Sequence, residues 1–229
     1  MYTSAGKQRY FGRGILIGAS GDCVFLGYFL MGRSPSSQKR KLYSEGKDIK
    51  IALLEPTLED TSLILYPPMV HVGDRQIVIS NGSQTGAIVQ ALQEGGSFEG
   101  ALRKETFEPD APHFTPRISA LVCLDGAGFS YKLSLIKALE PPACARFFYE
   151  YESVAGRGHF LHTYDHDNDP LSAFCGEPKS IEIPASLTEW GESLWGALDS
   201  EYKVALCVQS VHLISAQVKT LVFNEKTHA

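Results

Sequence analysis

Ionisable side chains with complementary chemistry lie close together in the segment EPDAPHFTPRIS, at residues 108–119. Glu108 and Asp110 could transfer protons as a general base or acid, and Arg117 could bind a substrate or lower the pKa of these carboxyl groups. Three prolines restrict the backbone, so the segment can hold these side chains in only a few arrangements. The segment is either a surface turn with a salt bridge or a preorganised ligand site.

Basic and hydroxyl side chains are concentrated in a second segment, YFLMGRSPSSQKR, at residues 28–40. Guanidinium groups bind phosphate oxygens in a bidentate manner, and serine hydroxyls and loop amides can satisfy the remaining lone pairs. Arg33, Ser34 and Arg40 are therefore candidate phosphate ligands. The alternative is a solvated basic loop.

Two further segments could present polar groups to a ligand. ISNGSQT, at residues 79–85, ends a predicted strand and begins a predicted helix, and the free amides at a helix N-terminus bind anions. Asn81 lies in this turn, for which an ordinary cap and turn is the alternative interpretation. Tyr66 precedes Pro67 and could offer its hydroxyl to a ligand, or it could be an aromatic residue at a strand end.

The run HTYDHDNDP, at residues 162–170, has the alternating acidic residues of a calcium loop. An EF-hand loop that begins at Asp165 needs glycine where Pro170 stands and glutamate where Gly176 stands. We therefore predict a hairpin tip at this run and no metal site in the protein.

The composition is that of an ordinary globular protein, with 44% hydrophobic and 21% charged residues in 229. The net charge is −5 and no basic tract is longer than KRK, which argues against a nucleic-acid partner. The N-terminal MYTSAGKQRY lacks an apolar signal region, and no apolar run approaches the ~20 residues of a membrane span.

Five widely spaced cysteines without a C-x-x-C pair are typical of reduced thiols, so we expect a cytoplasmic protein. No linker-like segment divides the chain, and we expect a single domain over residues 1–229. The sequence leaves the oligomeric state open, with a homo-oligomer among the expectations.

The elements that must position these residues follow from the hydrophobic periodicity. Strands are predicted at residues 9–17, 23–31, 49–54, 62–66, 76–80, 118–124, 129–139, 145–151, 159–164, 202–214 and 217–223. Helices are predicted at residues 82–95, 98–107 and 187–198. Blocks of strands alternate with blocks of helices, which predicts an α+β fold with antiparallel sheets and helices on their outer faces.

Three segments in this order, YFLMGRSxSSxxR, VISNGSQT and FEPDAPHFTPRIS, resemble the archaeal-type IMP cyclohydrolase family and its bacterial relatives. The similarity extends from GRGILIG near the start to PLSAFCGEP, which ends at residue 178. The resemblance implies the four-layer αββα sandwich of N-terminal nucleophile hydrolases, without use of that nucleophile. It also implies a cofactor-independent reaction in which 5-formamidoimidazole-4-carboxamide ribonucleotide loses water to give IMP.

Matching positions in the family pattern imply a role for each candidate residue. Arg33 and Arg40 would hold the phosphate of the purine nucleotide. Tyr66, Asn81 and Glu108 would surround the imidazole carboxamide and formyl groups, with Glu108 as the proton-transfer residue and Tyr66 as its partner.

Arg117 would bind substrate or orient the proline loop, which we define as residues 108–116. The family pattern has a tyrosine before the glutamate and an asparagine before Thr-Pro-Arg, where this chain has Phe107 and Phe114. The resemblance thus leaves two functions open, an IMP cyclohydrolase and a noncatalytic purine-nucleotide-binding protein. A third hypothesis, an amidohydrolase with an N-terminal nucleophile, would require processing beyond Met1 and Tyr2.

Overall fold

A computed structural model describes residues 8–55, 61, 63–126 and 128–225 of the chain. The strands are β1 (Arg13–Ser20), β2 (Cys23–Met31), β3 (Arg40–Glu45), β4 (Asp48–Leu53), β5 (Met69–Val72), β6 (Gln76–Ser80), β7 (Arg117–Leu124), β8 (Phe129–Ala138), β9 (Cys144–Glu152), β10 (Arg157–His162), β11 (Lys179–Glu182), β12 (Lys203–His212) and β13 (Val218–Asn224). The helices are α1 (Pro35–Gln38), α2 (Gln84–Gln93), α3 (Phe98–Leu102) and α4 (Leu187–Ala197).

The strands form two antiparallel sheets. One has six strands in the order β11-β10-β1-β2-β12-β13, and the other has seven strands in the order β3-β4-β5-β6-β7-β8-β9. Alternate apolar residues of both sheets share one buried core, because successive side chains of a strand point to opposite faces. Members of this core include Ile15, Leu26, Cys207, Ile79, Ala120 and Leu133.

Helices cover the outer face of each sheet. Trp190 of α4 packs against Phe25 of the six-stranded sheet, with their ring centroids 5.7 Å apart. Ile88 of α2 and Phe98 of α3 pack with Val78 on the seven-stranded sheet. This confirms the predicted α+β class and is compatible with a four-layer sandwich, whereas the relation to N-terminal nucleophile hydrolases remains a prediction.

Several predicted elements differ from the structure. The strand predicted at 62–66 is wrong, because the amides of Ile64 and Leu65 both bond to the carbonyl of Thr61 in a turn, and Ser62 lies outside the described residues. The helix predicted at 98–107 ends at Leu102. Strands β3, β5 and β11 were not predicted. Met1 and Tyr2, on which the N-terminal nucleophile hypothesis depends, also lie outside the described residues.

The sequence predicted that no segment of the chain spans a membrane. Among the residues that the structure describes, no helix is both long and apolar enough to cross a membrane.

Candidate functional site

The proline loop connects α3 to β7 and is closed by the side chain of Asp110. Its carboxylate accepts a hydrogen bond from the amide of Thr115 at 2.6 Å and another from the Thr115 hydroxyl. The amide of Glu108 donates to the carbonyl of Thr115 at 3.0 Å, which pulls the two ends of the loop together. Asp110 therefore shapes the loop, and of the two candidate carboxylates only Glu108 is left for proton transfer.

Glu108 is buried, with 3% of its surface exposed, so the proline loop is not a simple surface turn. Its Oε1 atom has no hydrogen-bond partner among the described residues. Burial raises the pKa of this carboxyl to about 6, although the positive charges of Arg13 and Arg117 act in the opposite direction. A carboxyl group with this pKa can accept and return a proton near neutral pH.

Two buried arginines lie beside this carboxyl. Arg40 begins β3 and is 1% exposed, and its Nε donates to the carbonyl of Ser37 at 2.9 Å. Neither Nη atom of Arg40 has a partner among the described residues, and the same holds for Nε of Arg13 in β1. Burial and the charge of Arg13 lower the pKa of Arg40. Paired guanidinium groups with free donors form a site for an anion.

Arg13 was not among the residues predicted from the sequence. Burial alone would lower its pKa, but Tyr66 and Glu108 raise the pKa above its ordinary value, so Arg13 remains a cation. The signal that could have identified it is an arginine at the start of an apolar strand, RGILIGAS. Such a buried charge needs an anionic partner.

Tyr66 is buried and is one of the groups that raise the pKa of Arg13. Its hydroxyl shares a 2.8 Å hydrogen bond with the hydroxyl of Tyr28 in β2. Burial and the neighbouring Tyr66 raise the pKa of Tyr28, so its hydroxyl stays protonated and can donate to Tyr66. The structure thus brings Tyr66, Arg40 and Glu108 together, and their roles toward a substrate stay a prediction.

Asn81 holds the turn through three hydrogen bonds, and its predicted contact with a substrate stays a prediction. Its Oδ1 accepts from the amide of Ile118 at 2.8 Å and from Nε2 of Gln84 at 3.1 Å, and its Nδ2 donates to the carbonyl of Pro116 at 2.8 Å. These bonds use the oxygen twice and the amide group once. Asn81 therefore joins the strand β6, the helix α2 and the end of the proline loop.

Arg117 links the segment before the proline loop to helix α2. Its Nε donates to the carbonyl of Thr106 at 2.8 Å, and its Nη1 donates to Oε1 of Gln84 at 2.6 Å. Gln84 is fully buried and was not singled out in the sequence. The contacts support the loop-orienting role of Arg117, while its charge favours the ionised form of Glu108.

Arg33 and Ser34, in the predicted phosphate-binding segment at residues 28–40, are exposed. Arg33 stacks over Tyr10, 5.8 Å from the ring centroid, beside a cavity of about 170 Å³. The Ser34 hydroxyl accepts from the amide of Ser37 at 3.2 Å as the N-cap of α1. Neither residue belongs to the buried cluster of Arg13, Arg40 and Glu108.

Carboxylates of the acidic run after β10 accept hydrogen bonds from backbone amides. The Asp167 carboxylate accepts from the amide of Tyr10 at 2.9 Å, and Asp165 accepts from the amide of Cys175 at 2.6 Å. Burial lowers the pKa of the adjacent His162 to about 3, so this imidazole is neutral. Within the described part of the chain, no group of three or more His, Cys, Asp or Glu side chains could hold a metal ion.

A comparison with protein families covers this whole site. Residues 10–213 match the model of the IMP cyclohydrolase-like protein family. The chain belongs to this family. The buried cluster of Arg13, Arg40 and Glu108 lies inside the matched region, and so does Arg117. A search of curated proteins found no match.

The geometry of this IMP cyclohydrolase-like site defines what it can do. Two cationic side chains can neutralise an anion, one carboxyl group of raised pKa can move a proton, and a tyrosine hydroxyl can donate a hydrogen bond. All four side chains are buried, and such interactions are stronger away from water than at a surface.

Proposed function

We propose that the protein is an IMP cyclohydrolase, which closes the purine ring of IMP from 5-formamidoimidazole-4-carboxamide ribonucleotide with loss of water. The observation that carries the proposal is the cluster of buried, unpartnered atoms on Arg13, Arg40 and Glu108. Buried polar atoms are normally hydrogen-bonded, and these atoms fit a ligand that offers phosphate oxygens and amide protons. Membership of the IMP cyclohydrolase-like family supports the same substrate class.

The two cations take different parts in this proposal. Arg40 holds the phosphate, because both of its Nη atoms are available for a bidentate contact. Tyr66 and Glu108 both raise the pKa of Arg13, so in this proposal its charge acts on the reacting groups that they would contact. It stabilises the negative charge that develops on the formyl oxygen when the ring closes.

Glu108 transfers a proton in each of two steps. In the first step the carboxamide nitrogen attacks the formyl carbon, and Glu108 carries the released N–H proton to the former formyl oxygen. In the second step the formamido nitrogen loses its proton, the hydroxyl group leaves as water and a C=N bond forms. Each step moves one proton from nitrogen to oxygen, so Glu108 ends as the carboxylate from which it started.

Tyr66 and the enclosed geometry complete the site. The Tyr66 hydroxyl, supported by its 2.8 Å contact with Tyr28, donates to the oxygen that becomes the leaving water. The bonds that Asn81 and Arg117 make hold the proline loop in place. A fixed loop keeps the carboxylate at the distance that ring closure requires.

The proposal is tested by mixing the purified protein with the formamido ribonucleotide and measuring IMP by chromatography against an enzyme-free control. We expect rapid IMP formation by the unchanged protein and a rate at least about 100-fold lower for Glu108→Gln. A variant rate equal to that of the unchanged protein would remove Glu108 from the chemistry.

A noncatalytic purine-nucleotide-binding protein is the second candidate, favoured by one feature of the loop. Phe107 and Phe114 pack edge to face, with ring centroids 5.5 Å apart, where the family pattern has tyrosine and asparagine. An apolar pair cannot relay a proton. IMP binding without turnover by the unchanged protein would favour this candidate, and absence of both would reject the two together.

A further inference from the structure

The outer side of β9 is an open sheet edge. β9 is the last strand of the seven-stranded sheet and, within the described chain, pairs with β8 alone. The bond from the amide of Ser153 to the carbonyl of Phe129, at 3.0 Å, shows which residues of this register face β8. By alternation, the N–H and C=O groups of Arg146, Phe148 and Glu150 point away from β8, where they can pair with another strand.

This edge lacks the protection found at the opposite edge of the same sheet. There, the side-chain amide of Asn224 bonds to both the N–H and the C=O of Leu42 in β3, at 2.8 and 3.0 Å. β9 has the sequence CARFFYEYE, with no proline to interrupt pairing. Leu139, Phe147 and Val154, on or beside it, are 64%, 40% and 60% exposed. Exposed apolar residues on an unpaired edge favour association.

We propose that β9 pairs with β9 of a second copy of this chain, antiparallel about a two-fold axis at Phe148. The two seven-stranded sheets then join into one continuous sheet. In an isologous contact each pair of residues occurs twice, so a strand that pairs with itself must be complementary to itself. The order of side chains along β9 meets this condition.

Charges are complementary on one face of the paired strands. In this register Arg146 of one copy lies opposite Glu150 of the other, and the symmetry repeats the contact. Glu150 lies 3.5 Å from Nζ of Lys132 in its own chain, and its side chain is still 70% exposed, so it can also contact a partner. Arg146 donates through Nη2 to the carbonyl of Glu105, while its buried Nε has no partner among the described residues. Opposite charges directly across a strand pair are stabilising.

Aromatic side chains are complementary on the other face. The same register places Phe147 of one copy opposite Tyr149 of the other, twice. Both residues are at least partly exposed in the single chain, Phe147 at 40%. Cross-strand aromatic pairs stabilise antiparallel sheets. Self-complementary charges and aromatic rings together favour a second copy over an unrelated acidic or basic partner.

The test is sedimentation equilibrium of the full chain and four variants. We expect the unchanged protein to form dimers, and Glu150→Arg and Arg146→Glu each to weaken the dimer at least about tenfold, because each places two like-charge pairs in the interface. The double variant, Arg146→Glu with Glu150→Arg, should restore most of the affinity. Glu152→Arg is the matched control, because Glu152 lies opposite Cys144 and its reversal should change the affinity less than about twofold.

A backbone variant tests the pairing independently of charge. Glu150→Pro removes an N–H that points away from β8, so it leaves the β8–β9 hydrogen bonds intact while it blocks the new ones. We expect this variant to be monomeric with an unchanged circular dichroism spectrum. A monomeric unchanged protein at about 100 µM would overturn the proposal, as would dimers that resist both Glu150→Pro and the charge reversals or that lose equal affinity with Glu152→Arg.

Discussion

Glu108 has a pKa of about 6, raised by burial against the opposing charges of Arg13 and Arg117. The proposed reaction needs the carboxylate form at the start, since a protonated carboxyl group cannot accept the carboxamide proton. We therefore expect kcat/KM to rise about tenfold per pH unit below pH 6 and to level off above it. A profile measured from about pH 4.5 to about pH 8 checks this, and a flat profile would contradict the assignment of Glu108 as the base.

The same carboxyl group destabilises the folded protein above pH 6. In the folded state its pKa is about 6, whereas the ordinary value is 4.5, so the folded state binds the proton more tightly than the unfolded chain does. The contribution of this group to the free energy of unfolding therefore falls, by about 2 kcal/mol, as the pH rises through this window. Glu108→Gln has no such charge to bury.

We expect Glu108→Gln to be more stable than the unchanged protein at pH 7.5, by up to about 2 kcal/mol, and of similar stability near pH 4.5. Urea unfolding of both proteins at the two pH values measures the difference. A difference that stays constant with pH would mean that Glu108 acts on stability through packing rather than through its charge. Loss of turnover together with a gain in stability is the pattern of a residue retained for function.

At the scale of elements, the junction of β6 and α2 is packed against the carboxyl group of Glu108. A Cβ atom on Gly82 would lie 2.5 Å from Nη1 of Arg117, 2.6 Å from Oε1 of Gln84 and 3.2 Å from Oε1 of Glu108. Gly82→Ala should therefore displace these groups, with at least about a tenfold loss of turnover and a loss of stability of about 1–3 kcal/mol.

Gly86, one turn further along α2, provides the matched control for this substitution. A Cβ atom there meets open space, so Gly86→Ala should keep full turnover and stabilise the helix by about 0.5–1 kcal/mol. Activity assays and thermal unfolding of the two variants separate the effects. Equal turnover in both variants would show that the junction does not position Glu108.

Elements with strong local patterns could be predicted from the sequence, whereas elements defined by distant partners could not. The β-branched apolar run in Gln76–Ser80 and the helical spacing of apolar residues after it predicted β6 and α2 correctly. β3 has few apolar residues, RKLYSE, and forms because it pairs with β4 and packs near β13. The apolar run at 62–66 suggested a strand, but the bonds to Thr61 make it a turn before two prolines.

The candidate site was predictable to the same extent. Glu108, Arg40 and Tyr66 were identified by their motifs, and the structure brings them together. The start of the apolar strand RGILIGAS is the one local signal for Arg13, but the burial of this residue depends on two sheets that meet only in the fold, so the signal was not recognised. The hydrogen bonds of Asn81 likewise depend on its contact with residues 116–118, which are distant in the sequence. The sequence pattern predicted that Asn81 contacts the substrate, but it could not predict these bonds.

At the scale of the whole molecule, the site joins the two sheets. Arg13 belongs to β1 of the six-stranded sheet, while Arg40 begins β3 of the seven-stranded sheet. Their like charges lie close enough for Arg13 to lower the pKa of Arg40. In the proposed complex Arg40 binds the phosphate and Arg13 faces the reacting groups, so one nucleotide contacts both sheets, and we expect it to stabilise them together.

Thermal unfolding with and without nucleotide tests this coupling. IMP at 100 times its dissociation constant should stabilise the unchanged protein by about 2.7 kcal/mol, and hydrogen exchange should slow in β1 as well as in β3 and β4.

Arg40→Met should weaken IMP binding by about 10- to 100-fold and leave inosine binding nearly unchanged, because inosine has no phosphate. Lys39→Met, which removes the neighbouring exposed charge, is the control and should bind IMP normally. Protection confined to one sheet would place the nucleotide outside the cluster, and equal losses for IMP and inosine would show that Arg40 does not hold the phosphate.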